Sequence, residues 1–479
     1  MRWPRIDLVS SCVPLLLLAS CGGDGSSSEG RDTNASLTTA AETGEASGDG
    51  DGDSDTNSTT SSTTNTGDGD GDSSTNSGDG DGDSGDGGVK FDLAAAPDAD
   101  PTDCGGGMGM GGDDSALSFI WIANSSQGTV SKINTVTGVE EGRYWTTPNQ
   151  GDGNPSRTSV NLLGDVAVSN RTPGSVTKIA ALHDRCVDSN QNGMIDTSTG
   201  PNDIRAWGQD ECVLWNRPLP SLDYNHGPRP TAWEGGKFDE GDPCGLDANP
   251  RLWVGYKDNV SQRGIFLRID GDSGEILDTV EGPVWVGISS MGPYGGAVNA
   301  NGDFIVTGLN YGNAIRIDAE TLEVQEIGNV PQTKYGMGLD KHGNIWVGGY
   351  QNGVFHYNFQ TDTWTNFNDT GGGRVNGIMV DREGYAWGAG SSPCRLVQID
   401  TEAMQTVNGN IPLPGCSSPW GISIDRDGFV WVVDMGASLA FKVDPDTYQV
   451  ELTVQGLTGP YTYSDMTGAG LNLVVNPPA

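Results

Sequence analysis

The chain is short of positive charge, of histidine and of long apolar runs. It has 26 lysines and arginines against 64 aspartates and glutamates, a formal net charge of −38. Such an acidic protein repels the phosphate backbone, so we expect no nucleic-acid partner. Four histidines leave few candidates for a general base that titrates near neutrality. The apolar run near the N-terminus is shorter than the roughly 20 residues of a membrane-spanning helix.

The N-terminus has the pattern of a secretory signal, because Arg2 and Arg5 precede a short apolar run that ends in "LASC". A cysteine directly after Leu-Ala-Ser resembles a bacterial lipoprotein signal, in which Cys21 becomes the lipid-modified first residue. A plain secretory signal is the alternative. We therefore predict a signal at 1–21 and a lipid anchor to the cell envelope. Because Gly22 rather than aspartate follows, we expect the outer membrane or the cell surface.

Residues 22–115 are predicted to be a linker, because they have almost no apolar side chains. The segment has 22 acidic and 2 basic residues, so it carries −20 of the net charge. So little apolar surface cannot offset the entropy lost on folding, and we expect disorder. Glycines and mutually repelling aspartates indicate a flexible, extended tether to a folded body at 116–479.

Six cysteines follow the lipidation site, and an even number in an exported chain favours disulfides. The local candidates for pairing are Cys186 with Cys212 and Cys394 with Cys416. Cys104 and Cys244 are then left over, and spacing alone does not prove any of these pairings.

From residue 116 onward the sequence repeats a unit of roughly 40 residues. Each clear copy has an apolar strand, an Asp-x-x-Gly turn, a second strand with a tryptophan, a third strand that ends in aspartate and a more polar fourth strand. The clearest copies are "YGMGLDKHGNIWVGG" (335–349), "VNGIMVDREGYAWGAG" (375–390) and "PWGISIDRDGFVWVVD" (419–434). The equivalent second-strand positions are Trp121, Ala167, Trp253, Ile305, Trp346, Trp387 and Trp431.

Seven copies predict an all-β fold, a seven-bladed β-propeller of four-stranded blades, with a β-sandwich or solenoid as alternatives. The step from Ala167 to Trp253 is about one unit too long, which predicts one insertion at about 181–245, between blades 2 and 3. At the C-terminus, "PYTYSDMTG" (460–468) copies the start of an inner strand, and we expect it to close the first blade. The recurrent tryptophans are predicted to pack between blades.

The copies "GISIDRDGFVWVVD" and "GLDKHGNIWVGG" resemble those of the streptogramin lyase (virginiamycin B lyase) family of seven-bladed propellers, and more loosely those of NHL-repeat proteins. The resemblance covers about residues 116–470, apart from the insertion. It implies an elimination that opens a cyclic depsipeptide ester, with a histidine general base, supporting glutamates and a bound magnesium. In that family a histidine often opens the inner strand, whereas none stands at the matching positions here.

Those matching positions are held instead by Tyr294, Tyr335, Asn376, Trp420 and Tyr461. The starts of the inner strands meet at one mouth of a propeller channel, so we predict a ligand-binding site there. The alternative is that these side chains only plug the channel. His226, in "DYNHGPRP", is a candidate to reach the mouth, whereas we expect His342 in a solvated turn and His356 on a strand surface.

The stretch "RCVDSNQNGMIDTS" (185–198) matches the first nine positions of an EF-hand-type calcium loop. The predicted ligands within the match are Asp188, Asn190, Asn192, Met194 through its carbonyl, and Asp196. Candidates for the missing last ligand are Glu211, Asp203 and Asp210. No amphipathic helix flanks the loop, so calcium is predicted to be structural rather than sensed. A metal-free turn is the alternative.

Together these features favour a non-catalytic binding module, a propeller tethered at the cell surface with structural calcium as its cofactor. Its predicted partner is a small molecule, a peptide or an extracellular polymer. The alternative is an enzyme at the channel mouth, either a streptogramin-type lyase or a metal-dependent hydrolase. Asp340, Asp381 and Asp425 are the obvious carboxylates, although each begins an Asp-x-x-Gly turn, which is typical of a turn former. A histidine–carboxylate pair or a metal at a mouth would favour the enzyme.

Overall fold

A computed structural model describes residues 118–221, 223–235, 249–286, 291–351 and 353–478. They lie in Lys90–Ala479, one of two units into which the chain divides, and the other unit is Met1–Val89. The predicted signal, lipid anchor and linker, with Cys21, Cys104 and Cys244, fall outside the described residues. Within the described part of the chain, no helix is long and apolar enough to cross a membrane.

The described residues form seven antiparallel sheets, which are the seven predicted blades. Blades 1 and 2 are β1 Phe119–Asn124, β2 Thr129–Asn134, β3 Glu140–Trp145; and β4 Gly153–Val160, β5 Val166–Thr172, β6 Gly174–Ile179, β7 Val213–Pro218. Blades 3 and 4 are β8 Thr231–Trp233, β9 Leu252–Lys257, β10 Arg263–Ile269, β11 Ile276–Val284; and β12 Pro293–Val298, β13 Phe304–Gly308, β14 Ala314–Ile317, β15 Val324–Glu326.

Blades 5, 6 and 7 complete the set. They are β16 Lys334–Leu339, β17 Ile345–Gly349, β18 Val354–Asn358, β19 Thr363–Phe367; β20 Val375–Val380, β21 Tyr385–Ser391, β22 Cys394–Asp400, β23 Gln405–Ile411; and β24 Pro419–Ile424, β25 Val430–Asp434, β26 Leu439–Val443, β27 Val450–Val454. The inner strands contact one another in the order β4, β8, β12, β16, β20 and β24. The seven-bladed all-β propeller predicted from the repeat is therefore confirmed.

The Asp-x-x-Gly turns tie each inner strand to the tryptophan of the next strand. In blade 7, Asp425 Oδ1 accepts the Phe429 N–H at 2.9 Å, and its Oδ2 accepts Trp431 Nε1–H at 2.9 Å. Asp340 and Asp381 make the same bond to the tryptophans of blades 5 and 6. The turn-former interpretation of these aspartates agrees with the structure. All five repeat tryptophans are fully buried, as core packing between blades requires.

Blade 1 has three regular strands, and the C-terminal segment 460–467 lies beside β1 in the inner position. Tyr461 N donates to Ala123 O at 3.2 Å, and Trp121 N donates to Met466 O at 2.8 Å. The segment forms only an isolated bridge rather than the regular strand predicted for it. One reason is Asp465, whose carboxylate accepts backbone N–H groups that follow it and turns the chain away from the sheet.

The oversized step in the repeat is not one insertion between blades 2 and 3, as the spacing predicted. Residues 180–212, including the predicted calcium loop, lie between the third and fourth strands of blade 2, since β7 pairs with β6. The inner strand of blade 3, β8, also falls inside the predicted range. The spacing predicted the number of extra residues correctly. It could not show that they lie in two places, because β7 and β8 lack the repeat motif.

One helix, α1 (Ala469–Val475), follows the C-terminal segment and was not predicted. It contacts β12, β16 and β24, and its apolar face buries Leu471, Leu473 and Val474. Leu471 lines a cavity of about 30 Å³ with Leu339 and other residues from the ends of the inner strands. The helix therefore covers the channel at the end opposite to the starts of the inner strands.

Candidate functional site

Four of the five residues predicted at the channel mouth lie together. Tyr294, Tyr335 and Trp420 begin β12, β16 and β24, and Tyr461 and Tyr463 come from the C-terminal segment. We call these five side chains the aromatic mouth. Their ring centroids are 5.4 Å apart for Tyr294–Tyr335 and 5.6 Å for Tyr335–Trp420. The inner strands bring rings from distant parts of the sequence into one cluster because each strand starts at the same end of the channel.

Four of the five polar tips of the aromatic mouth are hydrogen-bonded to one another, and the buried Tyr463 hydroxyl has no partner among the described residues. The Tyr294 hydroxyl lies 3.2 Å from that of Tyr335 and 3.0 Å from that of Tyr461. The hydroxyls of Tyr335 and Tyr461 are also bonded, and Trp420 Nε1–H donates to the Tyr335 hydroxyl at 2.9 Å. Buried phenols need such partners, so the rings hold one another in place.

Asn376, the fifth predicted residue, does not join this cluster. Its side chain is fully buried, and its Nδ2–H donates to the Pro419 carbonyl at 2.9 Å. The bond connects the start of β20 in blade 6 to the start of β24 in blade 7. Asn376 therefore acts in the contact between two blades in this structure.

Arginines surround the aromatic mouth, and the sequence analysis did not identify them. Arg157 from β4 lies under the rings, with its guanidinium carbon 3.2 Å from the Tyr463 ring centroid. Arg171 lies 4.7 Å from the Tyr461 centroid, and Arg374 lies 5.8 Å from the Trp420 centroid. Positive charge over aromatic faces is an attractive arrangement.

Among the described residues, no carboxylate lies within ion-pairing distance of these arginines or of Arg229, which stands 5.5 Å from the Tyr294 centroid. They donate to backbone carbonyls instead, such as Arg157 to Tyr294 O at 3.1 Å and Arg374 to Tyr350 O at 3.2 Å. In so acidic a chain, unpaired arginines are unusual. A sequence signal existed, because Arg229 and Arg374 stand just before inner strands.

The electrostatics of the mouth separate Tyr294 from its neighbours. Burial raises the pKa of Tyr335, Tyr461 and Tyr463 above the usual value for a phenol. Burial acts in the same direction on Tyr294, but Arg157, Arg229 and the hydroxyl hydrogen bonds outweigh it and lower its pKa to about 8. Positive charge favours the phenolate, so the mouth stabilises negative charge.

His226 forms a histidine–carboxylate pair near this mouth. Its Nδ1 lies 2.8 Å from Asp223 Oδ2, and its buried Nε2 has no hydrogen-bond partner among the described residues. The backbone carbonyls of Tyr224 and Asn225, in the same turn, accept hydrogen bonds from Arg229. The sequence signal for the His226–Asp223 pair was the spacing Asp-x-x-His in "DYNH".

The other two histidines considered above take different places. His342 is exposed in its turn, as predicted, with 62% of its side chain accessible. His356 is only 4% exposed, so the expected surface position was wrong. It is buried because the blade 6 turns pack over β18.

The predicted calcium loop forms a compact turn on the insertion of blade 2. Asn190 Nδ2 and Asn192 Nδ2 both reach Asp196 Oδ2, at 2.9 and 2.8 Å, and Asp188 Oδ2 accepts the Gly193 N–H at 2.9 Å. These bonds gather the four predicted side-chain ligands in one turn, but the amide nitrogens of Asn190 and Asn192 point to Asp196, while their oxygens accept backbone N–H groups. Calcium would need those oxygens turned inward, so the calcium site stays a prediction.

Glu211, the candidate last ligand, contacts the loop from outside its sequence. Its Oε1 accepts the N–H groups of Ser189 and Asn190, and its Oε2 accepts that of Asp196 at 2.8 Å. These bonds, the one from Asp196 above all, lower the pKa of Glu211. Met194 is exposed at 67%, as an outward side chain at a carbonyl-ligand position would be. Glu211 therefore shapes the loop through backbone bonds.

Both local cysteine pairs form disulfides in the structure. Cys186 and Cys212 bracket the calcium loop, with Cα atoms 4.4 Å apart. Cys394 and Cys416 connect β22 to the segment before β24, with Cα atoms 6.2 Å apart. The predicted pairing of these four cysteines is confirmed.

No family model and no curated protein matches the chain. Among solved structures, virginiamycin B lyase from Staphylococcus aureus matches with a TM-score of 0.46 and 16% identity, over 66% of this chain and 90% of that one. The chain resembles streptogramin B lyases. A catalytically inactive variant of the same enzyme with quinupristin gives 0.45 and 15%, over 65% and 86%.

A protein of unknown function from Bacteroides caccae also matches, with a TM-score of 0.38 and 13% identity, over 60% of this chain and 92% of that one. Identities this low concern the fold alone. Whether the mouth binds or reacts has to be argued from its own residues.

Proposed function

We propose that the chain is an exported, lipid-tethered propeller that binds a carboxylate-bearing ligand at its aromatic mouth. The observation that carries this is the group of arginines around the mouth tyrosines, none of them paired with a described carboxylate. A buried cation without a counter-ion is costly, so a ligand anion would recover that cost. The lowered pKa of Tyr294, to about 8, supports the same preference for negative charge.

The accessible part of the mouth sets the expected ligand shape. Tyr224 is 39% exposed, and Tyr350, Arg374 and Tyr461 are half-buried. The Tyr350 ring stacks on that of Tyr335 at 5.4 Å. Aromatic rings with guanidinium groups between them suit a planar apolar body with one carboxylate, because the carboxylate takes paired N–H donors while the body covers the rings.

Calorimetry with the full chain tests this proposal with a matched pair of probes, benzoate and benzamide, which differ chiefly in charge. We expect benzoate to bind and benzamide to bind at least about tenfold more weakly, since the loss of a charged hydrogen-bond partner costs about 1.5–3 kcal/mol. Arg374→Gln is expected to remove the difference. Arg263→Gln, at a surface ion pair away from the mouth, is the control and should bind benzoate as the unaltered chain does.

Equal binding of the two probes, or no binding of benzoate by a folded chain, would contradict the proposal. Trp420→Ala supplies a second variant, because it removes a ring of the mouth and no charge. If it leaves benzoate affinity unchanged while the fold is intact, the aromatic mouth is only a plug.

A second candidate function, an enzyme at the mouth, rests on the His226–Asp223 pair. The carboxylate orients the ring through Nδ1 and leaves Nε2 as a potential base, which is the usual arrangement for proton abstraction. The test is incubation of quinupristin with the chain, followed by mass spectrometry. Elimination opens the ring without a change of mass, whereas hydrolysis adds one water. A product that is formed by the unaltered chain and not by His226→Asn would establish the enzyme. The absence of any product would favour the binding module.

The calcium loop is proposed to be a structural site that stiffens the blade 2 insertion together with its disulfide. The nine-position sequence match supports this, together with the contacts of the Asn190 and Asn192 side chains with Asp196. Calcium calorimetry is the measurement, with the Asp188→Ala, Asp196→Ala double variant expected to lose the binding heat. Asp184→Ala, an exposed carboxylate just outside the loop, is the control. Heat that is unchanged in the double variant would place calcium elsewhere.

The lipid anchor is part of the proposal and has its own test. Cys21→Ser should move the chain from the membrane fraction to the soluble exported fraction. A chain that stays membrane-bound after this change would not be anchored through Cys21.

A further inference from the structure

One position in every blade carries a related side chain. It is the residue of the third strand that pairs with the second-strand tryptophan position. In blade order these residues are Lys132, Lys178, Arg268, Arg316, His356, Gln398 and Lys442. Five of the seven are lysine or arginine, although the chain as a whole is acidic.

In the lysine and arginine blades this cation fills the space between two blades. Lys442 Nζ lies 2.9 Å from Asp425 Oδ2 of its own blade and donates to Thr135 O of the next blade at 2.9 Å. Further carbonyl contacts to the next blade are Lys132 to Ala181, Lys178 to Gly271 and Arg268 to Ala319. Further carboxylate pairs are Lys178–Asp165, Arg268–Glu234 and Arg316–Asp303. In blades 2, 3 and 7 the cationic group thus bridges a buried carboxylate and the neighbouring blade, whereas Lys132 makes the carbonyl contact and Arg316 the carboxylate pair.

Blade 5 has a histidine at this position, and its ring is too short to make the bridge. His356 Nε2 lies 3.5 Å from Asp340 Oδ2, so it keeps the contact within the blade. Its Nδ1 is buried and has no partner among the described residues. In blade 6, the carbonyl at the equivalent position belongs to Thr401, and His356 makes no hydrogen bond to it.

A cavity of about 180 Å³ lies between blades 5 and 6 where the bridging cation would be. His356, Asp340 and Thr401 line it, as does Asp381 of blade 6. The cavity is on the turn face of the propeller, away from the aromatic mouth, because Asp340 and Asp381 follow the ends of their inner strands. A lysine side chain would fill part of it in the other blades.

Asp381 is the second carboxylate that lines the cavity, and it also has no cationic partner among the described residues. Blade 6 has Gln398 at the third-strand position, and Asp381 receives only the Trp387 Nε1–H and backbone N–H groups. Burial raises the pKa of this carboxyl to about 6. The floor of the cavity therefore combines two buried carboxylates with an unpartnered histidine nitrogen.

We propose that this cavity binds a small primary amine, whose ammonium group takes the place that lysine or arginine fills in the other blades. The ammonium has three donors, which suit Asp340, Asp381 and His356 Nδ1. The volume exceeds what one ion or one water needs, since a water takes about 30 Å³. Among the described residues, the only group of three His, Cys, Asp or Glu side chains close enough together to hold a metal ion lies elsewhere, and two of its members are disulfide cysteines.

The rim of the cavity favours a diamine over a simple amine. Glu402 is 63% exposed there and lies 3.2 Å from Lys341 and 3.8 Å from His342. A second ammonium group, a few carbons from the first, can exchange with the Lys341 contact at low cost, because surface ion pairs contribute little. The suitable probe is 1,4-diaminobutane.

The test is calorimetry of the full chain with 1,4-diaminobutane and its neutral counterpart 1,4-butanediol at pH 8. We expect saturable binding of the diamine and none of the diol. His356→Lys supplies the missing cation from the protein itself, so it should abolish diamine binding and keep the melting temperature at or above that of the unaltered chain. Asp381→Asn should weaken binding at least about tenfold, because it removes a buried charge partner.

Val260→Lys is the control, since it adds the same charge at an exposed position, 87% accessible, that does not line the cavity. It should change diamine affinity by no more than about threefold, as exposed charges are screened. Three results would each overturn the proposal: no saturable diamine binding, which would mean that the cavity holds water alone; equal binding of diamine and diol; or unchanged binding in a folded His356→Lys chain. Should His356→Lys fail to fold, the Asp381→Asn result decides.

Discussion

Replacement of the uncompensated carboxylate in blade 6, Asp381→Asn, is expected to stabilise the protein at neutral pH. Asp381 is 4% exposed, and its Oδ2 accepts Trp387 Nε1–H at 2.6 Å. Gln398 stands at the position that supplies a cation in other blades. Asparagine removes the buried charge and keeps one acceptor oxygen for Trp387 Nε1–H, while its NH2 group replaces the oxygen that accepts Tyr385 N–H.

The size of the effect follows from the pKa of Asp381, which burial raises from 3.8 to about 6. A shift of about 2 units corresponds to roughly 3 kcal/mol at about 1.4 kcal/mol per unit. The weaker hydrogen bond to Trp387 and the lost one from Tyr385 N–H together return about 1–2 kcal/mol of this. We therefore expect the free energy of unfolding to rise by about 1–2 kcal/mol at pH 8.

The pH dependence has a definite sign. An acid whose pKa is raised on folding destabilises the folded state once the pH exceeds its unfolded pKa, and the penalty is complete above its folded pKa. The advantage of Asp381→Asn should therefore be absent near pH 4, grow up to about pH 6 and stay level above it. Urea unfolding, followed by tryptophan fluorescence from pH 4 to pH 8, measures this.

The matched control is Asp425→Asn in blade 7, where the carboxylate lies 2.9 Å from Lys442. This change leaves a buried lysine unpaired and should cost about 3–5 kcal/mol at pH 8. If Asp381→Asn instead destabilises the protein as much as Asp425→Asn does, the argument that Asp381 is uncompensated is wrong.

Three further outcomes are expected. Removal of the chain from α1 onward deletes three buried apolar side chains and exposes the surface that they cover. The free energy of unfolding, measured by denaturant titration, should fall by about 4–6 kcal/mol. An unchanged value would mean that α1 does not seal the channel. Gly421→Ala should destabilise more than Gly328→Ala, since a Cβ at 421 meets a backbone oxygen at 2.2 Å and one at 328 meets nothing within 4 Å; equal thermal shifts would refute the close approach. Ultraviolet titration should show one tyrosine ionising near pH 8, lost in Tyr294→Phe and moved to higher pH in Arg157→Met, and no such phase would contradict the lowered pKa.

The repeat pattern predicted the fold because the residues that define each blade lie close together in the sequence. The Asp-x-x-Gly turn and the following tryptophan are joined by one short-range hydrogen bond, as between Asp425 and Trp431. Such local patterns are readable in the sequence. The strands β7 and β8 were missed because their pairing partners lie far along the chain and their own residues lack the motif.

The candidate site was predictable only in part. Tyr294, Tyr335, Trp420 and Tyr461 could be expected at the mouth from their place in the repeat. Arg157 could not, because it lies within β4 at a position that the repeat does not mark, whereas the place of Arg229 and Arg374 just before inner strands was a signal.

The sequence alone determined the number of blades and the buried tryptophans, since these depend on the repeat and on short-range bonds, and it named the two local disulfides as candidates that the structure confirmed. Only the tertiary structure decided what the blades share: arginines without carboxylates around the tyrosines, α1 over the far end of the channel, and the cavity left by His356 between blades 5 and 6. The physical reason is that the cost or benefit of a buried charge depends on all its neighbours. In a closed ring, those neighbours come from blades that are far apart in the chain.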